Sequence, residues 1–360
     1  CVDCGKGASA NYKRRVGIVK SVGFKVDFAR TGLDALHRTP DGGWVWTGAI
    51  QSEKAAALRV HFSGILLPED SELYIYNHDG QTFGPYRTYS GQFWTNTVTG
   101  PLAYVQLKFS PGVNPEAIKT SRFTIGNVGH LGHKFLLPFL QQGPSLPEGV
   151  SRTEAFCSYN ADCIVDANCY DTGDWAQIEN VKKAVAHMQW ISMPYIYICS
   201  GGLLNDTVTT SQIPYFLTAN HCISSQSDAS NLECYWQYWT SSCGSACYDP
   251  VGAVPRTLGA TLLSTNSTGD YTLMQLSENP PSGSVFLGWN TSAVSSTNNF
   301  QLYRISHPGG APSAYSRHSV DPSSITCGGW PRGSWIYSKD VIGATEGGSS
   351  GSPVCNVSGQ

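Results

Sequence analysis

Three short stretches carry residues able to do chemistry together. FLTANHCISSQ (216–226) sets His221 between an apolar segment and a cysteine, STGDYTLMQL (267–276) puts Asp270 after a turn and at the mouth of an alternating run, and ATEGGSSGSPV (344–354) holds Ser350 in a loop of small residues. None decides anything singly. A histidine beside apolar residues is commonly packed core, an aspartate at a strand start is commonly a turn residue, and a bare Gly/Ser run is commonly a flexible loop. Their conjunction is more specific. A serine hydroxyl near its free pKa is a weak nucleophile, so it needs a base in contact with it and a carboxylate that fixes the base's tautomer. The chain order His221, Asp270, Ser350 is one that solves this geometry. The glycines around Ser350 leave a tight turn in which the N–H groups of Gly348 and Ser350 can face a developing oxyanion.

The elements that must position these residues read as strands. The chain has 360 residues, 41% hydrophobic and 14% charged, with 38 Gly and 20 Pro, enough for two domains with cores of their own. Short apolar runs rich in Thr, Tyr and Trp, punctuated by Gly, Pro and Asn, predict an all-β protein. Residues 10–130 alternate in stretches such as ALRVHFSGILL, SELYIYNHDG and YVQLKFSPG, each closed by turn residues, and predict a β-sandwich. FLLPFLQQGPSLPEGVSRTEAF (135–156) predicts a linker, which gives a domain at 1–134, a linker or processing region at 135–156 and a cysteine-dense domain at 157–360. The stretch 174–190, DWAQIENVKKAVAHMQW, opens like a helix on local propensity.

Composition also excludes classes. Twelve cysteines without the paired spacing of a zinc ribbon predict disulfides and an oxidising, secreted setting, weakly supported by sequons at Asn205, Asn266, Asn290 and Asn356. No apolar run is long enough to cross a membrane as a helix. Residues 1–150 carry 15 Lys+Arg against 11 Asp+Glu, which leaves 8 against 15 for residues 151–360, so the halves have net charges of +4 and −7. Neither half shows the basic stripe that nucleic acid requires. No cofactor is implied. His130 and His133 in GHLGHKF form the only close histidine pair and lack a third ligand, so no metal site is expected.

LTANHC, GDYTLMQL and GGSSGSPV resemble the His, Asp and Ser motifs of chymotrypsin-fold serine endopeptidases, closest to the secreted bacterial lysyl endopeptidase group. CSGGLLN (199–205), LGWN (287–290) and ISHPGG (305–310) extend the resemblance across most of residues 157–358, while residues 30–110 resemble the β-sandwich propeptides of such proteases. The resemblance implies a double β-barrel that lacks its last strands, with His221 as general base, Asp270 as its orienter, Ser350 as nucleophile and Gly348 with Ser350 as oxyanion hole. It implies disulfides Cys199–Cys222 and Cys163–Cys243, and a partner for Cys157 beyond residue 360, with Cys157 left free in this chain. It also turns KKAVAHMQW into a barrel strand, restricting the helix to 174–181. Ala344 and Thr345 are the S1-lining candidates. Neutral Ala344 rules out the acid that trypsin-like enzymes place there, and cleavage after Lys stays open because the lysyl group takes its pocket acid from after the nucleophile. Ser349 stands where relatives that activate by inserting a new N-terminus carry Asp, so activation is expected by removal of a propeptide through a cut upstream of Cys157. The partners implied are protein or peptide substrates and the chain's own propeptide as inhibitor or folding aid. The rival reading is a catalytically inactive, protease-like binding or adhesion protein.

Overall fold

The computed structural model describes residues 13–132, 157, 163–208, 210–326 and 330–360. The linker expected at 135–156 lies outside the described residues, as does His133. Strands dominate, and the chain divides into two compact units: Val16–Leu137 with Ile191–Ile196, and Cys1–Arg15 with Pro138–Trp190 and Tyr197–Gln360.

The first of these units is a two-sheet sandwich. One sheet runs β1 (Arg14–Asp27), β10 (Arg122–Gly132), β4 (Ala55–Leu66) and β7 (Ser90–Trp94), with β8 (Val98–Thr99) also on β4. The other runs β2 (His37–Arg38), β3 (Trp44–Gln51), β9 (Leu102–Phe109), β5 (Ser71–Tyr76) and β6 (Thr82–Tyr86). Burial alternates strictly along β9 and β5, as expected of strands with one face on the core. Phe28, Val60, Phe62, Ile75, Val105, Leu107 and Phe109 fill the space between the sheets.

In the second unit, an antiparallel sheet runs β16 (Arg256–Leu258), β15 (Glu233–Tyr235), β12 (Val185–Ser192), β13 (Tyr195–Leu204), β14 (Tyr215–Thr218), β18 (Tyr271–Leu276) and β17 (Ala260–Asn266). Its two ends are consecutive in the chain. Only Gly259 separates β16 from β17, so the sheet has to curl until its edges meet. Gly259 has φ +84°, donates its N–H to the Leu232 carbonyl (2.7 Å) and accepts from Ser277 N (3.0 Å), which makes it the seam of the barrel. Met188, Trp190, Phe216, Trp236 and Met274 pack inside. A second sheet runs β11 (Val165–Asp166), β20 (Ala314–Val320), β19 (Gln301–Ser306) and β22 (Val354–Cys355), with β21 (Ser338–Ile342) following β11 along the same edge of β20, opposite β19. Its core contains Trp175, Ile178, Val181, Tyr303, Ile305 and Tyr315.

Two expectations need correcting. The helix spans Ile178–Ala184 rather than 174–181, because Trp175, Ile178, Val181 and Ala184 recur every three residues toward the second core, while an Asp171-capped turn occupies the preceding residues. The strand begins at Val185, from which every residue to Ile191 is buried. Cysteine pairing also differs. Cys243 bonds Cys169, not Cys163, and Cys157 is not free but bonds Cys247. The cause is local: β11 pairs with β20, which fixes the single turn Ala167–Cys169 after it against the loop at 240–244. The Asp166 carboxylate there accepts from Thr240 Oγ1 (2.8 Å) and Gly244 N (3.0 Å), and Asn168 Nδ2 donates to the Thr240 carbonyl. Cys163, ahead of β11, is disulfide-bonded elsewhere, and Cys234 and Cys355 are buried thiols. Peptide mapping of the unreduced protein is expected to yield Cys157–Cys247, Cys169–Cys243 and Cys199–Cys222. A Cys163–Cys243 peptide would contradict this placement of the strand at 165–166.

Candidate active site

Asp270 is the last residue of the turn that joins β17 to β18. Asn266 pairs with Tyr271 across the hairpin, Gly269 N donates to Asn266 Oδ1 (2.7 Å), and Asp270 adopts φ +48°, a left-handed conformation that aspartate tolerates better than most residues. Because Thr218 on β14 pairs with Thr272 on β18, the end of β14 lies beside the start of β18, and the residues that follow β14 reach Asp270. There His221 N donates to Asp270 Oδ1 (2.9 Å) and His221 Nδ1 stands 2.7 Å from Asp270 Oδ2. Burial opposes ionisation of Asp270. The hydrogen bonds from the His221 side chain, the His221 N–H and the Asn220 N–H outweigh it, so the carboxyl is held below its ordinary pKa. An ionised carboxylate only accepts, so Nδ1 carries the proton of the neutral imidazole and Nε2 keeps its lone pair. The surrounding turn is tied down by Asn220 Nδ2 to Thr265 Oγ1 (2.7 Å) and by Thr272 Oγ1 to the Ile223 carbonyl (2.6 Å).

Cys222, next to His221, is bonded to Cys199 on β13, with the two Cα atoms 6.4 Å apart. Ser200 follows Cys199 and touches the serine loop twice: its N–H donates to the Ser350 carbonyl (2.9 Å) and its hydroxyl to the Gly348 carbonyl (2.8 Å). Its own carbonyl accepts from Thr218 Oγ1 (2.9 Å), and its hydroxyl accepts from His307 N (2.9 Å). Cys222 Sγ lies 3.8 Å from the Ser350 carbonyl oxygen. His221, Asp270 and Ser350 thus come from separate loops that meet at one junction. The glycines of the loop are there for contact distance. A Cβ on Gly351 (φ +83°) would collide with Thr218 Oγ1 and stand 2.8 Å from Ala219 N, and one on Gly348 (φ +109°) would stand 2.7 Å from the His307 carbonyl oxygen. Ser349 is buried, with its hydroxyl accepting from Ser306 Oγ (3.0 Å), while Ser350 is half-buried.

Ala344 is packed with Ile164 and Ala314, and Thr345 beside it is half-buried. His130 stands 2.8 Å from Ser52 Oγ and 3.1 Å from Lys20 Nζ, a poor setting for a metal ligand. Among the described residues, one cluster has the spacing of metal ligands, Cys199 with His221 and Cys222, and its sulfurs are joined in a disulfide with no thiolate to offer. Reading the sequence did not single out Ser200 or His307. Both fall in runs matched only by resemblance, CSGGLLN and ISHPGG, and neither spacing nor periodicity separates them from structural residues.

The family model "Lysyl endopeptidase, C-terminal domain" matches residues 158–360. The chain is 26% identical over 351 residues to the lysyl endopeptidase of Pseudomonas aeruginosa, covering 94% of this chain and 71% of that protein. It is 30% identical over 205 residues to secreted RxLR effector protein 73 of Plasmopara viticola, covering 55% of this chain and 47% of that protein. Among solved structures, the inactive form of the Rv3671c protease of M. tuberculosis is similar over 51% of this chain and 77% of that chain, at 14% identity and a TM-score of 0.33. The chain is a protease by descent. It belongs to the lysyl endopeptidase family.

His307 and His187 are buried behind the serine loop, their ring centroids 5.7 Å apart. Burial pushes the His307 pKa down to about 4, and burial with the neighbouring His307 pushes His187 well below its ordinary value. In the unfolded chain both imidazoles take up protons near pH ~6.5, so acidification favours unfolding before either titrates in the fold. For His307 the resulting stability, on the order of 3 kcal/mol, is present above that pH and is lost as the pH falls to about 4, and His187 acts in the same direction. Thermal unfolding followed across this interval is expected to show Tm falling with pH, and falling less steeply in a His307→Asn variant. An unchanged Tm would mean that these rings are not buried as described.

Proposed function

We propose that this chain is the proenzyme form of a secreted serine endopeptidase that hydrolyses peptide bonds through an acyl-enzyme. The observation that carries the reading is the two-point grip of Asp270 on His221, on a loop bonded through Cys222 to the strand that holds Ser350. In this mechanism Ser350 Oγ attacks the scissile carbonyl while His221 Nε2 takes its proton. Asp270 stabilises the imidazolium, and the N–H groups of Gly348 and Ser350 hold the oxyanion. Collapse expels the amine, which receives the proton from His221, and water then hydrolyses the ester by the same base.

The name of the Pseudomonas relative supports cleavage after Lys. With Ala344 and Thr345 neutral, the negative charge that would hold a lysine has to come from another residue. The sandwich of residues 16–132 acts as the propeptide, an inhibitor or folding aid removed by a cut in the stretch 135–156. Disulfides within the protease-like unit support secretion. Similarity to a secreted effector protein supports, as a second reading, an inactive protease-like binding protein. Activity separates the two.

In the full-length, processed protein, Ser350→Ala and Asp270→Asn are each expected to lower kcat/KM by about 10³-fold or more while leaving Tm within a few degrees of wild type. The check is hydrolysis of a mixed peptide library, with cut sites read by mass spectrometry and clustering after Lys. Turnover by the Ser350→Ala protein at the wild-type rate would overturn the assignment of the nucleophile. A folded, processed wild type without turnover would favour the binding reading.

A further inference from the structure

His307 lies outside the proposed triad, yet it is fully buried against the loop that carries Ser350, its carbonyl oxygen 2.7 Å from where a Cβ on Gly348 would stand. We propose that His307 is a positioning residue that aims the Gly348 N–H at the oxyanion by bracing the turn Pro308–Gly310, an inference that rests on the serine-peptidase reading.

The argument starts from one peptide plane. Gly309 N donates to the Gly347 carbonyl (2.7 Å). In a trans peptide the carbonyl and the following N–H point in opposite directions, so a Gly347 carbonyl held toward the 308–310 turn directs the Gly348 N–H away from it. The next plane is fixed as well, because Ser200 Oγ donates to the Gly348 carbonyl (2.8 Å) and is itself held by His307 N (2.9 Å). A serine loop of small residues has little stiffness of its own. The orientation of its donors is therefore set by what the 306–310 segment offers.

That segment needs bracing in turn. Gly309 and Gly310 have φ +66° and +84°, a region that glycine enters and leaves freely, so the two residues give the turn little stiffness of their own. Its backbone closure is one bond from Gly310 N to the His307 carbonyl (3.1 Å) and one from Ala311 N to the Pro308 carbonyl (3.0 Å). The His307 ring supplies the third tie. Its Nδ1 lies 2.9 Å from the Ala311 carbonyl oxygen, which can only accept, so the ring is the Nδ1–H tautomer and joins the exit of the turn to its entry. Tyr238 stacks on the ring at 5.5 Å with the planes 6° apart, preventing it from swinging. The other nitrogen, Nε2, is buried with no hydrogen-bond partner among the described residues. Burying an imidazole with one nitrogen unsatisfied is costlier than burying a leucine, and the Nδ1–H donor is the property that a leucine lacks.

The test uses the full-length protein with His307→Asn, which keeps a donor near the Nδ1 position, and with His307→Leu and His307→Gln, which do not. The Leu and Gln variants are expected to lose about 10²-fold in kcat with KM within about twofold of wild type, and the Asn variant to recover to within about tenfold of wild type. A peptide aldehyde, which forms an oxyanion-bearing adduct, should bind the Leu and Gln variants more weakly by the same factor as kcat, and the matching peptide alcohol should bind unchanged. If the Leu variant does not fold, Asn against Gln decides. Equal kcat in all variants, or equal losses in Asn and Gln with KM rising in step, would overturn the proposal. Ser350→Ala serves as the control: activity that survives it refutes the peptidase reading itself, whereas activity that needs Ser350 but not the His307 donor refutes only this inference.

Discussion

Everything proposed for this site depends on one carboxylate spending both oxygens on one residue. Asp270 takes the His221 backbone N–H with one oxygen and faces the ring Nδ1 with the other, so a single side chain fixes the position of the loop, the orientation of the ring and its tautomer together. A weaker arrangement, with the ring alone held, would leave the loop free to slide. The grip requires Asp270 in a left-handed conformation at the end of a hairpin turn, and the Gly269–Asn266 bond helps to hold that turn. Strand register does the rest. The pairing of Thr218 with Thr272 sets the offset, and a slip by one residue would send the Asp270 side chain to the other face of the sheet.

The serine loop is joined to this pair by different means. Ser350 lies between β21 and β22 of the second sheet, and its position relative to His221 is set where β13 offers Cys199 to the histidine loop and Ser200 to the serine loop. Adjacent residues on one strand thereby couple two loops that are 129 positions apart in sequence, from His221 to Ser350. The small residues around Ser350 follow from the same closeness. Gly348 and Gly351 are packed against backbone atoms of neighbouring segments, and a methyl group at either would push the loop off its supports.

Much of this could be read in the sequence, and the remainder shows where sequence reasoning runs out. The candidates His221, Asp270 and Ser350 were legible because their chemistry demands particular residue types in a known order, and the alternating strands of the sandwich because burial on one face imposes a period of two. The extent of the helix at 178–184 was less so, since its end is set by the two-sided burial of the strand that follows. The pairing of Cys243 was misread because a disulfide depends on which residue of a turn faces its partner, and that turn is fixed by Asp166 bonding to the 240–244 loop, a contact without local signature. Ser200 and His307 were invisible for a related reason. Their importance comes from what their backbones touch, and a sequence does not display that.

The protonation state of His221 tests the central claim most directly. Nitrogen NMR of the full-length protein with labelled histidine rings should show the neutral His221 ring with its proton on Nδ1 and a bare Nε2. In the Asp270→Asn protein, whose amide can donate as well as accept, that preference should weaken or reverse. A wild-type His221 carrying its proton on Nε2 would leave no base for Ser350, and the account would fail at its first step.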